Sequence, residues 1–165
     1  MQKSSDLKLL IDFIAKQHLN YPNYDAWVQR TEAELASGYK EAILAFADGH
    51  LAGDVIYQQC KDNPSFLELK NLRVHPDMRS RDFARFMLKQ VEADKSSRYQ
   101  SIICDARADR PELTRFMVRM GYKPIIEVPL YNSGSADIVL VKPLLKGDNN
   151  RLIKSAIDLS LDRAI

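Results

Sequence analysis

The 165-residue sequence predicts an α/β domain of the α+β kind, built on a mixed, mostly antiparallel sheet with one parallel pair. Three observations carry that prediction. "EAILAFADGHLAGDVIYQQC", residues 41–60, joins two apolar runs through Asp48-Gly49, the signature of a two-residue β-hairpin. Residues 66–108 read strand, helix, strand, an order that closes as a parallel pair with a right-handed crossover. "YKPIIEVPLYNSGSADIVLVKPL", residues 122–144, reads as two further strands around a turn from Asn132 to Ser135.

Element by element, Leu7, Leu10, Ile11 and Ile14 recur at helical spacing behind a Ser5/Asp6 cap, and "YPN" separates them from a second helix over Tyr24 to Ser37, closed by Gly38. After the hairpin and the loop "KDNPS", a third strand runs from Phe66 to Val74. Leu67 and Leu69 share one parity there, whereas Leu72 and Val74 share the other. A side-chain period of two cannot switch faces without an extra residue, so a β-bulge is expected near Lys70 and Asn71.

The next helix, about Asp82 to Ser96, carries Phe83, Met87 and Val91 on one face, and "SIICDARA" follows as a short buried strand. Asp109 and Glu112 are spaced as a capping box for another helix, with Pro111 in its first turn. Leu113, Phe116, Met117 and Met120 form its apolar stripe, and Gly121 ends it. Past Lys146 a final amphipathic helix is expected, with Ile153, Ala156, Ile157, Leu161 and Ala164 on one side. The organisation predicted is one domain over 1–146 with a helical extension over 147–165. That extension packs on its own domain or meets a partner, a homodimer included.

Composition narrows the function. Apolar residues at 45% and charged residues at 28% suit a soluble globular chain, and the short, charge-interrupted apolar runs suit neither a signal peptide nor a membrane span. A cytoplasmic protein without a membrane partner is the expectation. A formal charge of +2 gives no reason to expect nucleic acid. Cys60 and Cys104 lie far apart and the histidines are His18, His50 and His75, so metal-ligand spacing is missing and no metal is expected.

"ELKNLRVHPDMRSRDFARFMLKQVE", residues 68–92, fills the frame E-L-x-x-L-x-V-x-P-x-x-R-x-x-G-x-G/A through Glu68, Leu69, Leu72, Val74, Pro76, Arg79 and Ala84. "FMVRMGY", Phe116 to Tyr122, fits F-Y-x-x-x-G-F. Over roughly Glu41 to Leu144 the sequence thereby resembles the GNAT superfamily of acyl-CoA N-acyltransferases. The resemblance implies helices on both faces of the sheet and a parallel pair splayed by the bulge to take coenzyme A. It implies an acetyl-CoA-dependent transfer of an acetyl group to a primary amine, of a small molecule or a peptide, by direct attack.

The resemblance also assigns residues. The pantetheine arm would lie along Leu72, Arg73 and Val74. The pyrophosphate would rest on backbone N–H groups of Arg79, Ser80, Arg81, Asp82, Phe83 and Ala84, where a helix start offers unpaired donors and the positive end of its dipole. The backbone N–H near Val74 would face the acyl oxygen, and Glu68 would be the base.

Two departures stand out. Asp82 occupies a position where the family has glycine, and a carboxylate about 6 Å from a phosphate charge costs on the order of 1–1.5 kcal/mol. Arg79, Arg81 and Arg85, with Arg73 nearby, can offset that, and Asp82 can instead cap the helix. Met117 stands where many members have a tyrosine that protonates the leaving thiolate, and a thioether donates no proton. Tyr131 and Cys104 are then the candidate acids, ahead of His75 and Asn71, with solvent as the simplest donor. A non-catalytic module that senses acyl-CoA or binds a protein partner stays open beside the enzyme.

Overall fold

The structure, a computed structural model, describes residues 4–17, 22–131, 134–145 and 149–164. Two helices, α1 (Ser4–Ala15) and α2 (Tyr24–Ala36), precede the hairpin strands β1 (Glu41–Ala47) and β2 (His50–Gln59) and the strand β3 (Phe66–Val74). There follow α3 (Phe83–Lys95), β4 (Ser101–Arg107), α4 (Pro111–Arg119), β5 (Lys123–Val128), β6 (Asp137–Pro143) and α5 (Asn149–Arg163). Six strands form one sheet in the order β1-β2-β3-β4-β6-β5. The pairs β1–β2, β4–β6 and β5–β6 are antiparallel, and β3–β4 is parallel. The mixed α+β class predicted from the sequence is therefore the one observed.

The hairpin forms because Asp48 and Gly49 both take positive φ, 49° and 79°, which a two-residue turn matched to strand twist requires. The parallel ladder is short. It runs from Phe66 opposite Ser101 to Glu68 opposite Ile103, while β3 continues to Val74 and β4 to Arg107.

The chain divides into two compact units, Met1–Gln58 with Lys70–Ala93, and Gln59–Leu69 with Asp94–Ile165. The first has a core of Leu10, Ile14, Tyr24, Val28, Leu35 and Ile56. A polar network is buried in the same unit. Asn71 donates to Asp54, Arg73 Nε donates to Asn71 at 2.8 Å, and Arg73 Nη1 donates to the carbonyls of Ile14 and Gln17 at 3.0 and 2.7 Å. The guanidinium also lies over the Tyr24 ring.

That network corrects the parity argument. Leu67, Leu69, Asn71 and Arg73 are all buried, whereas Leu72 and Val74 are only partly so. One face of β3 thus stays inside along its length, because two polar side chains continue it with buried partners. Burial does not change sides at Lys70 and Asn71, and that reason for a bulge falls away.

The second unit packs Cys60, Phe66, Ile103, Val128, Val139, Val141, Ala156 and Leu159 together. Its α4 lies against β4 and β5, and α5 lies against β5 and β6. The helix α5 therefore packs on its own domain. Its buried side is Ala156, Leu159 and Ser160, with Leu152 and Ile153 beside them, whereas Leu161 is exposed. Of the predicted stripe, Ile153, Ala156 and Ala164 meet this core, and Leu161 points to solvent. The predicted capping box is also absent: Arg110 is the N-cap residue of α4 and makes no side-chain cap bond, while Asp109 is held by Arg107 at 2.6 Å. The turn before β6 lies partly outside the described residues, as do Tyr21 of the "YPN" turn and His18.

Candidate functional site

In the first unit the site begins where β3 ends. Pro76–Met78 form one turn of 3₁₀ helix, in which the Asp77 N–H donates to His75 Nδ1 at 3.3 Å. Arg79 is extended, and the chain then turns left-handed at Ser80 (φ 60°) and again at Asp82 (φ 61°) before α3 starts at Phe83. The Asp82 carbonyl accepts the first helical bond, from the Phe86 N–H at 2.9 Å, so Asp82 stands at the N-cap position.

Neither Ser80 nor Asp82 is glycine, and left-handed backbone at such residues costs of order 1 kcal/mol or more each. A turn of this shape directs backbone N–H groups outward, and a helix N-terminus adds unpaired donors and positive dipole potential. The side chains of Arg79, Arg81 and Arg85 are exposed around it. The donor set fits a phosphate-bearing ligand. Asp82 is exposed as well, with its carboxylate on the same loop.

Leu72 and Val74 are half-buried, and their backbone is tied to β2 through a close approach at Gly53. A Cβ on Gly53 would come within 2.6 Å of the Arg73 carbonyl oxygen and 3.1 Å of Met87 Cε. Only glycine lets the strands and α3 close there. The Arg73 side chain is committed to the buried network, so only its backbone remains for a ligand.

In the second unit Glu68 is buried, at 4% exposure, and Arg163 from the last turn of α5 donates to its Oε1 at 2.6 Å. The same guanidinium donates to Asp62 at 3.0 and 3.1 Å and reaches Cys60 Sγ at 3.5 Å. Burial works against the charge on Arg163, but Glu68 and Asp62 more than offset it and hold the guanidinium protonated. A small cavity is lined by Glu68, Cys104, Asp105, Leu130, Val139 and Arg163, together with Ile103 and Ser160.

Tyr131, partly exposed, donates its hydroxyl to Asp105 Oδ1 at 3.3 Å. Burial, and then the nearby Asp105 charge, push the Cys104 thiol well above its ordinary range and keep it protonated. Asp137 is fully buried on β6. Burial first, then the Asp105 charge, raise it to about 6, against backbone hydrogen bonds from Leu130 and Tyr131. Met117 is a core residue of α4 at 3% exposure and contributes no proton donor.

The first unit thus brings together Leu72, Arg73 and Val74 on one strand and the loop residues Arg79 to Arg85. The second brings Glu68 into one cavity with Asp105, the partner of Tyr131. Arg163, Asp105 and Asp137 were not singled out from the sequence. For Arg163 a signal existed: it follows Ala156, Leu159 and Ser160 at helical spacing, which places a cation on the buried side of an amphipathic helix.

The family model described as "Acetyltransferase (GNAT) family" matches residues 8–122. No match is found among curated protein sequences. Among solved structures, the chain is similar to the aminoglycoside 6'-N-acetyltransferase from Enterococcus faecium, at 16% identity and a TM-score of 0.73, over 89% of this chain and 95% of that one. It is similar to the ribosomal-protein-S18-alanine N-acetyltransferase from Escherichia coli, at 17% identity and a TM-score of 0.68, over 90% and 94%. A third similar structure is an aminoglycoside 6'-N-acetyltransferase complexed with coenzyme A, at 16% identity and a TM-score of 0.71, over 89% and 95%.

Proposed function

The chain belongs to the GNAT family of acetyltransferases, and on that premise we propose that it moves an acetyl group from acetyl-CoA to a primary amine of a small molecule or peptide. The observation that carries this reading is the loop at 79–82, left-handed at Ser80 and Asp82 and opening directly into α3 among three exposed arginines. It lies at the family's pyrophosphate position in the sequence frame.

The Arg79 N–H is taken by the Pro76 carbonyl at 3.3 Å, so the backbone N–H groups from Ser80 to Ala84 would hold the pyrophosphate, with the Arg79, Arg81 and Arg85 side chains supplying charge, and the pantetheine would run along the Leu72–Val74 backbone. When bound, acetyl-CoA supplies the thioester whose C–S bond breaks as the amide C–N bond forms. Glu68 accepts the proton that the attacking amine loses, and the Val74 N–H donates to the oxygen on which charge develops. Tyr131 is the candidate donor of a proton to the leaving thiolate, and its hydroxyl would have to turn from Asp105, to which it donates at 3.3 Å, to do so.

The competing reading, a module that binds acyl-CoA without turning it over, is favoured by Met117 at the family's tyrosine position. Two measurements separate them. Acetyl-CoA at 100 times its dissociation constant should stabilise the fold by about 2.7 kcal/mol, and an unmoved melting temperature at millimolar acetyl-CoA would sink both readings. Thiol release with an amine panel then supports the enzyme, whereas binding with no release from any amine supports the sensor.

A further inference from the structure

We infer that Arg163, from the C-terminal helix, is a positioning residue for Glu68, fixing its carboxylate in one orientation and in the proton-accepting form. The inference deepens the proposed function, because it rests on Glu68 being the base. A carboxylate exposed by only 4% has lost most of its hydration, and such a group takes up a proton and goes neutral unless a partner compensates it. Arg163 supplies that compensation at 2.6 Å. Among the described residues lining the cavity, it is the one cation.

The choice of arginine is physically specific. Its planar fork reaches Glu68 through Nη1 and Asp62 through Nε and Nη2, so the head group is held from two sides and cannot rotate with the carboxylate it holds. The end of a helix also favours a cation, since the carbonyl dipoles point there. The other charged or titratable groups described around the cavity and the guanidinium do not substitute for it. Asp105 on β4 is a second carboxylate, bonded by Tyr131; Cys104 is held as a neutral thiol; and Asp62 shares the same guanidinium. Removing the charge of Arg163 takes the guanidinium from Glu68 and leaves the Asp105 carboxylate in the same cavity.

The deciding measurement needs no turnover. With glutamate δ-carbons labelled, the pH titration of Glu68 is followed by NMR in the wild type, in Arg163→Met and in Arg163→Lys. The expected result is a midpoint at least one pH unit higher in Arg163→Met, partly restored in Arg163→Lys. An unmoved midpoint overturns the inference. Should Arg163→Met fail to fold, Arg163→Lys and Arg163→Gln carry the same comparison, with the larger rise expected in the glutamine variant.

Activity gives the second arm. The acidic limb of kcat/KM should move to higher pH in Arg163→Met by the same amount as the midpoint, about tenfold in rate at a fixed acidic pH for one unit. KM for acetyl-CoA should not change. In a Glu68→Gln background, Arg163→Met should have no further effect on the pH profile; an additional shift there would make Arg163 a merely structural residue. Full activity of Glu68→Gln would remove Glu68 as the base, and with it the proposed mechanism, while the titration still decides whether Arg163 governs its protonation.

Discussion

At Asp82 two penalties coincide, one conformational and one electrostatic, and substitution separates them. The residue is left-handed at φ 61°, where glycine is free and asparagine is better tolerated than most side chains. Asp82→Gly should therefore stabilise the fold by up to about 1 kcal/mol in urea unfolding, less the entropy that glycine adds to the unfolded chain. Asp82→Asn keeps the side-chain shape and removes only the charge. If the carboxylate faces the phosphates, both variants should bind coenzyme A about tenfold more tightly by calorimetry, following a like-charge repulsion of on the order of 1–1.5 kcal/mol. Unchanged affinity in Asp82→Asn would show that the carboxylate is turned away. The loop's position was legible in the sequence because Pro76, Arg79 and Ala84 keep the family spacing. Its left-handed turns were not, because serine and aspartate do not announce positive φ as glycine does. Asn71 and Arg73 were misread for a related reason: polarity alone suggests an outward face, and only the structure shows Asp54, Ile14 and Gln17 waiting as their partners.

Among the elements, those set by local chemistry were readable and those set by packing were not. The hairpin followed from Asp48-Gly49, and the end of α4 followed from Gly121. At Gly121, φ is 88°; its N–H donates to the Val118 carbonyl at 2.9 Å, and the Tyr122 N–H donates to the Met117 carbonyl at 3.0 Å, the paired bonds of a Schellman ending. A Cβ on Gly121 would meet only the end of the Lys142 side chain, Cε at 3.5 Å and Nζ at 3.6 Å, both ordinary contacts. The penalty for Gly121→Ala is therefore one of backbone conformation alone, about 1–2 kcal/mol of lost stability, read by chemical denaturation. No loss would mean that the helix end rearranges around the substitution. For α5 the helix and most of its packed side were readable, with Leu161 the exception. Ser160 is buried with its hydroxyl donating to the Ala156 carbonyl at 2.7 Å, and Arg163 is drawn inward by Glu68, so two polar residues share the packed side from which Leu161 is left out.

For the molecule as a whole, the buried acids set an unusual pH dependence of stability. Asp54 is pushed up to about 7, by burial first, against the opposing hydrogen bond from Asn71 and the charge of Arg73. Asp137 is pushed up to about 6, by burial and then by Asp105. In the unfolded chain both return to the ordinary value near 3.8. The native state thus binds more protons than the unfolded state between about pH 4 and 7. These two groups make their full contribution below about pH 4, and it is lost as pH rises through their native values. For Asp54, at ~1.4 kcal/mol per unit, the loss is on the order of a few kcal/mol by pH 8. Asp12 and Asp109 act in the opposite sense: each is held low, first by its partner, Lys8 and Arg107 respectively, so their contribution is lost as pH falls through the acidic range. Both are exposed, and exposed pairs contribute little. The balance places the stability maximum on the acid side of neutrality, and urea unfolding from pH 4.5 to 8 should show a steady decline. Asp54→Asn keeps the shape of the side chain and cannot ionise; it should flatten much of that decline and make the protein more stable than the wild type at pH 8, while leaving it equal or weaker at pH 4.5. A flat wild-type profile would instead mean that Arg73, already held by Asn71 and two backbone carbonyls, keeps Asp54 ionised throughout the range, making the buried network a charge pair rather than a neutral one.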